Sequence, residues 1–146
     1  MSDLHVVLKL ADTEYVVSWQ DVLHLESFIG ATKVPGTRPY VSGLIQIRGR
    51  VVPVVDLRMR FGLPSAEPTL DSRVIVVQSG ARTVGLLVDS AREVVNIGAD
   101  TLRPPPEVIA HESAGFVKAV AQLGKRLVML VDVGRIIDEE QEHHGK

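Results

Sequence analysis

Short apolar runs rich in valine, separated by turn residues, make up most of this chain. Apolar and polar positions alternate in many of these runs, and β-branched residues favour strands, so the pattern predicts many short β-strands. Two pairs of runs are predicted hairpins, and the turn at residues 79–81 is the clearer one because Gly80 can adopt a positive φ. The predicted strands cover residues 4–10, 13–17, 44–47, 50–55, 73–78, 82–88, 91–97, 116–123 and 126–131.

Helices are predicted to be few and short. One is expected at residues 21–25, and two more directly after Asp56 and Asp132, because an aspartate carboxylate can accept hydrogen bonds from the free N–H groups of a first helical turn. Residues 63–71, with two prolines and few apolar residues, are the best linker candidate. Residues 103–107 contain three consecutive prolines, which favours a stiff extended loop and leaves a polyproline ligand as an alternative.

The chain also matches itself when it is shifted by 76 positions. YVSGLIQIRGRVVPVVD, from residue 40, then lies without gaps over FVKAVAQLGKRLVMLVD, from residue 116. Valine-rich segments match one another easily, but this pair also aligns polar residues of the same type. We therefore predict a duplicated unit of roughly 70 residues, with strand–turn–strand–helix repeats at about 40–61 and 116–137. The aligned polar pairs are Gln46/Gln122, Arg50/Arg126 and Asp56/Asp132.

A single unit of this size would bury little apolar surface, so two units that share an apolar interface are the more stable arrangement. Small sheets that close into barrels also leave no exposed edges. We therefore predict a mostly β, pseudo-duplicated chain with two compact five-stranded barrels and short helices. Residues 1–146 are expected to form one domain of two intertwined subdomains, in which the charged residues 138–146 are a flexible tail.

Composition limits the kinds of partner. The net charge is −2 and the isoelectric point is near 6.2, with only six aromatic residues, which disfavours nucleic-acid binding. No apolar run approaches the ~20 residues that span a bilayer, and the amino terminus lacks the pattern of a signal peptide. The chain contains no cysteine, which excludes disulfides and cysteine-ligated zinc. We expect a cytoplasmic protein without membrane insertion.

No constellation for catalysis stands out. His5, His24 and His111 are isolated, and His143 with His144 lies in a charged tail that is typical of solvated chain. The sequence GATK lacks the upstream glycine of a phosphate-binding loop, and no Gly-x-Ser-x-Gly elbow occurs. We therefore predict a protein that is not an enzyme and that has no metal site and no cofactor.

A charged break interrupts the apolar stretch GLIQIRGRVVPVVDLRMRFG. Gly49 is expected to take a positive φ in a tight turn, with Arg48 at the tip in water. The shifted alignment places Gly124 and Lys125 at the corresponding turn, so the turn itself does not require an arginine. Two interpretations of Arg48 are open: a solvated turn residue, or a residue that contacts a partner.

The segment GLIQIRGRVVPVVDLRMRFGL resembles the signature of the chemotaxis coupling (CheW-like) family, and the likeness extends over most of the chain. The resemblance implies two small SH3-like β-barrels without catalytic activity or cofactor. It implies an adaptor that joins the cytoplasmic tips of methyl-accepting chemoreceptors to the regulatory domain of a chemotaxis histidine kinase. The alternative is a generic β-barrel interaction module in a two-component pathway outside chemotaxis.

The resemblance also assigns residues. Arg48, followed by Gly49, matches the family's Arg-Gly arginine, which is implicated in partner binding. Val22, Leu44 and Ile47 match apolar positions near the receptor-facing groove, although burial alone would also explain them.

Two further positions carry over, and a third departs from the family. Gly85 matches a glycine where close approach of a partner is expected, and Arg58 matches a helix arginine that pairs with a nearby carboxylate. The chain departs from the family at His24, where an acid is usual. A histidine can gain charge between pH 5 and 8, so partner choice and its pH dependence are expected to change there.

Overall fold

The computed structural model describes residues 3–112 and 115–137, and within them ten strands form two five-stranded sheets. The prediction of a mostly β chain with two five-stranded barrels is confirmed in its strand content and in its two five-stranded sheets; in the described residues the two end strands of each sheet do not pair with each other. The strands are β1 (Leu4–Leu10), β2 (Thr13–Ser18), β3 (Val22–Ser27), β4 (Val41–Ile47), β5 (Arg50–Asp56), β6 (Arg73–Ser79), β7 (Arg82–Val88), β8 (Ser90–Asn96), β9 (Val117–Leu123) and β10 (Arg126–Val131).

The two sheets have the same internal order. Sheet A runs β8-β1-β2-β10-β9 and sheet B runs β3-β6-β7-β5-β4. In each sheet the closing hairpin comes from the other half of the chain and joins by the one parallel pairing, β10 with β2 in sheet A and β5 with β7 in sheet B. The two halves of the chain therefore interlock, since neither sheet is built from one half alone.

An isolated bridge lies at the open side of each sheet. Thr32, which follows β3, pairs with Leu44 on the free edge of β4. Arg103, which follows β8, pairs in the same way with Val120 on β9. Each bridge brings the two ends of its sheet towards each other, so both sheets curl.

The two proposed repeats make the same backbone contact at their entry. The amide of Asp56 donates to the carbonyl of Tyr40 at 2.7 Å, and the amide of Asp132 donates to the carbonyl of Phe116 at 2.7 Å. These bonds and the matched bridges support the duplicated unit. Its direct test is the superposition of residues 40–61 on 116–137, and until then the duplication stays a prediction, as do the proposed domain boundaries. Residues 138–146, predicted to be a flexible tail, lie outside the described residues.

Alternation along the strands divides the core into three clusters. On β1, Val7 faces a cluster inside sheet A, whereas Val6 and Leu8 face the core that the two sheets share. The shared core is the largest cluster, as expected when two small units stabilise each other. The cluster inside sheet B contains the buried residues Ile47, Val52, Val74 and Val76.

Three short α-helices are present in the described part of the chain: α1 (Leu57–Arg60), α2 (Glu107–Glu112) and α3 (residues 133–137). Helices after Asp56 and Asp132 were predicted, and both are confirmed. The Asp56 carboxylate accepts from the amide of Met59 at 3.4 Å, and the Asp132 carboxylate accepts from the amide of Arg135 at 3.0 Å. None of the helices among residues 3–112 and 115–137 has the length and apolar character needed to cross a membrane.

The predicted helix at residues 21–25 is wrong. A single 3₁₀ turn at Trp19–Asp21 leads into β3, which pairs with β6. Half-buried and exposed residues alternate along β3 with the period of a strand, and that period outweighs the capping tendency of Asp21. Helix α2 was not predicted, because the proline run in front of it suggested only loop.

An arginine–aspartate pair fastens α1 to the end of β7. Arg58 donates to both carboxylate oxygens of Asp89, at 2.8 Å and 2.6 Å, which confirms the predicted carboxylate partner. The amide of Ala11 donates to the same carboxylate at 2.8 Å. These bonds, led by the one from Arg58, hold the pKa of Asp89 below its usual value.

We expect Asp89→Asn to lower the free energy of unfolding at pH 7 by about 1–2 kcal/mol, because charge-assisted bonds are lost. The folded-state pKa of Asp89 is lowered, so its contribution is complete above the ordinary carboxyl value of about 4 and is lost as the pH falls below it. Urea unfolding of parent and variant should therefore differ at pH 7, and the difference should shrink as the pH is lowered below about 4. Asp71→Asn, in the exposed pair with Arg92, is the matched control and should cost less than about 0.5 kcal/mol. Equal stability of parent and Asp89→Asn at pH 7 would contradict the prediction.

Candidate partner-binding surface

The turn between β4 and β5 has an unusual backbone. Gly49 has a φ of 81°, as predicted, and Arg48 has a φ of 52°. Two positive φ values in a two-residue turn match the right-handed twist of the flanking strands. A side chain held at positive φ costs on the order of 1 kcal/mol, which a glycine would avoid. Arg48 therefore destabilises the turn relative to a glycine, so the stability of the turn does not explain why an arginine occupies this position.

The Arg48 side chain extends into solvent. It is 69% exposed, and its Nε lies 3.6 Å from Oε2 of Glu26, which is too long for a hydrogen bond. A loose, exposed ion pair of this kind contributes about 0–1 kcal/mol. The guanidinium group therefore keeps donors available for a partner's carboxylates or carbonyls.

A groove lies next to this tip, between the chain that leaves β3 and the edge of β4. Its volume is about 580 Å³, and residues 26–32 and 44–47 line it. Leu44 and Ile47, both predicted to be near the binding groove, are among these lining residues. Ile29 is 97% exposed on the same groove, a position that the sequence analysis missed. The structure thus places a groove of mixed polar and apolar lining directly beside an exposed arginine that is only loosely paired with Glu26.

Strand β3 carries the other two predicted contacts of the first half of the chain. Val22 is half-buried and packs against the shared core. His24 is half-buried and shares one side of β3 with Glu26, the partner of Arg48. Leu23 and Leu25, on the same end strand, are 39% and 40% exposed and were also missed. The alternation in the sequence VLHLES could have revealed them if it had been interpreted as a strand.

Gly85 has a structural explanation. It lies on the central strand β7, pairs with Val54 and is buried. A Cβ at this position would lie 2.6 Å from Cγ1 of Val74. The close approach that requires glycine is therefore made inside the molecule. A partner contact at Gly85 stays a prediction, and we leave this residue out of the proposed surface.

The structure offers little for a metal. No group of three histidine, aspartate or glutamate residues is arranged to hold an ion in the described part of the chain. His5 is buried, and its Nδ1 lies 2.8 Å from the carbonyl oxygen of Asp3, which gives it a structural role. His143 and His144 lie outside the described residues.

The model of the CheW-like domain family matches residues 5–141. The chain belongs to the CheW-like family. It is 31% identical to the chemotaxis protein CheW of Bacillus subtilis, over 92% of this chain and 86% of that protein. It is 30% identical to the chemotaxis protein CheW of Rhizobium meliloti, over 93% of this chain and 88% of that one. The CheW-like fold is equally clear: the crystal structure of the scaffolding protein TtCheW from Thermoanaerobacter tengcongensis matches with a TM-score of 0.84 and 32% identity, covering 93% of this chain and 88% of that chain. The family predicted from the Arg-Gly signature is thereby confirmed.

Proposed function

We propose that this chain is a non-catalytic adaptor of chemosensory signalling. It joins the cytoplasmic tips of methyl-accepting chemoreceptors to the regulatory domain of a chemotaxis histidine kinase, and it acts in the cytoplasm. Membership of the CheW-like family supports this function, as do the chemotaxis and scaffolding roles that the names of similar proteins state. These relatives favour chemotaxis over a generic module of another two-component pathway.

One observation carries the location of the binding surface. Arg48 stands exposed in a backbone conformation that costs stability, and a groove that exposes Ile29 lies next to it. A charged tip beside an exposed isoleucine in a groove suits a partner that combines an apolar contact with a polar anchor. The proposed surface comprises Arg48, Gly49, Leu44 and His24; Ile47 is buried in the core of sheet B and Val22 packs against the shared core, so their contacts with a partner stay predictions.

Titration calorimetry with two purified partners tests this function. A receptor cytoplasmic tip and a kinase regulatory domain are titrated separately into the full chain, and both are expected to bind. Addition of all three components should then form a ternary complex in size-exclusion chromatography. Binding of neither partner would refute the proposal, and binding of the kinase domain alone would refute the coupling role.

A further inference from the structure

The second half of the chain holds an arginine between two glutamates. Arg126, at the start of β10, donates from Nε and Nη2 to Glu14 at 3.0 Å and 3.1 Å. It also donates from Nη1 and Nη2 to Glu93 at 3.1 Å and 2.8 Å. These bonds lower the pKa of Glu93 below its usual value. One guanidinium thus binds two carboxylates at once.

The register of the strands identifies the corresponding positions in sheet B. Both sheets have the same strand order, so residues that face one another can be matched row by row. Across sheet A, from β8 to β10, one set of residues paired side by side is Glu93, Val7, Val16 and Leu130. The residues in the same places across sheet B, from β3 to β5, are His24, Val76, Gly85 and Val54. The pair of Glu14 with Lys9 corresponds to the pair of Thr83 with Gln78. Arg126 corresponds to Arg50, at the start of β5.

The corresponding arginine lacks both carboxylates. Thr83 stands where the other sheet has Glu14, and His24 stands where it has Glu93. Arg50 is exposed, and within the described part of the chain its side chain donates to the Thr83 hydroxyl alone, at 3.2 Å. Among residues 3–112 and 115–137 the structure gives it no ion pair.

We propose that Arg50, together with Arg48, binds an acidic segment of the partner protein. The carboxylates of that segment lie around Arg50 as those of Glu14 and Glu93 lie around Arg126. The two arginines flank Gly49, Arg48 in the turn and Arg50 at the start of β5, and among the residues that the structure describes only the loosely paired Glu26 forms an ion pair with either of them. Arginine presents a planar set of donors that suits paired carboxylates, and sheet A shows that this fold can seat two of them on one guanidinium. The inference rests on the proposed function and adds the chemistry of the partner at that site.

A variant that supplies Arg50 with a carboxylate from the chain itself tests the inference. Thr83→Glu restores the carboxylate that Glu14 supplies in sheet A, so Arg50 gains an internal partner. We expect this variant to keep its thermal melting temperature and to bind the receptor tip or the kinase domain about tenfold more weakly. Thr83→Gln, similar in size and uncharged, should bind like the parent. Arg50→Gln should lose a similar factor, and the salt dependence of its binding should become flatter.

Two results would overturn the inference. One is equal affinity of Thr83→Glu, Thr83→Gln and the parent for a partner that the parent binds, which would leave the adaptor function intact. If the parent binds neither partner, a hexapeptide of glutamate decides the matter, with the glutamine hexapeptide as control. The ¹⁵N Nε–H resonance of Arg50 should shift on titration with the glutamate peptide alone, and that of Arg126 should not. A resonance of Arg50 that stays unmoved would overturn the proposal.

Discussion

Arg48→Glu is expected to weaken formation of the receptor–adaptor–kinase complex by about 1–3 kcal/mol. The substitution removes the donors of an exposed arginine and places a negative charge next to Glu26, which now faces Arg48 at 3.6 Å. Arg48→Ala should lose less, because it removes contacts without adding repulsion. Calorimetric titration of each variant with the receptor tip and with the kinase regulatory domain measures the effect.

The free energy of unfolding of the Arg48 variants shows whether a loss of binding comes from a lost contact with the partner or from a less stable fold. Within residues 3–112 and 115–137 the Arg48 side chain has only the 3.6 Å ion pair with Glu26, so Arg48→Ala should change the free energy of unfolding by less than about 0.5 kcal/mol. Arg48→Gly relieves the strain of a side chain at positive φ, so it is expected to be at least as stable as Arg48→Ala. It is expected to bind the two partners no better than Arg48→Ala does. If a folded Arg48→Glu variant bound both partners as tightly as the parent, Arg48 would be a turn residue only.

Val54→Ala and Leu130→Ala are each expected to lower the free energy of unfolding by about 1–4 kcal/mol. Val54 is fully buried and Leu130 is 6% exposed, and each lies on the strand by which one closing hairpin joins the sheet of the other half. Removing methyl groups there leaves a cavity that the surrounding strands cannot easily close. Urea unfolding at neutral pH measures both variants.

The neighbouring surface provides matched controls. Val51 and Leu127 stand at corresponding positions on the same two strands, and each is 64% exposed. Val51→Ala and Leu127→Ala should therefore cost less than about 0.5 kcal/mol. Costs for the buried positions as small as those for the controls would show that the two closing hairpins are not fixed by packing at these points.

Much of the site was accessible from local sequence. The turn at Gly49, the exposed position of Arg48 and the cap at Asp56 follow from residue types and spacing over a few positions. The error at residues 21–25 was also local, because the alternation of half-buried and exposed positions that identifies β3 lies in the six residues Val22–Ser27 themselves. Ile29 could not be predicted, since its exposure on the groove depends on how the chain after β3 crosses to β4.

The sequence by itself determined the family and every strand except β3, because each strand carries a period of two in its own residues and this period does not depend on its neighbours. Only the tertiary structure decided which strands meet. The exchange of closing hairpins joins β5 to β7 and β10 to β2. The alternation of apolar and polar residues within a strand cannot predict these pairings, because the paired residues are distant along the chain. The partners of the charged side chains were also decided by the tertiary structure. Arg50 and Arg126 align in the sequence, yet Arg50 donates to a hydroxyl and Arg126 to two carboxylates. These partners lie on other strands, which only folding places next to the two arginines.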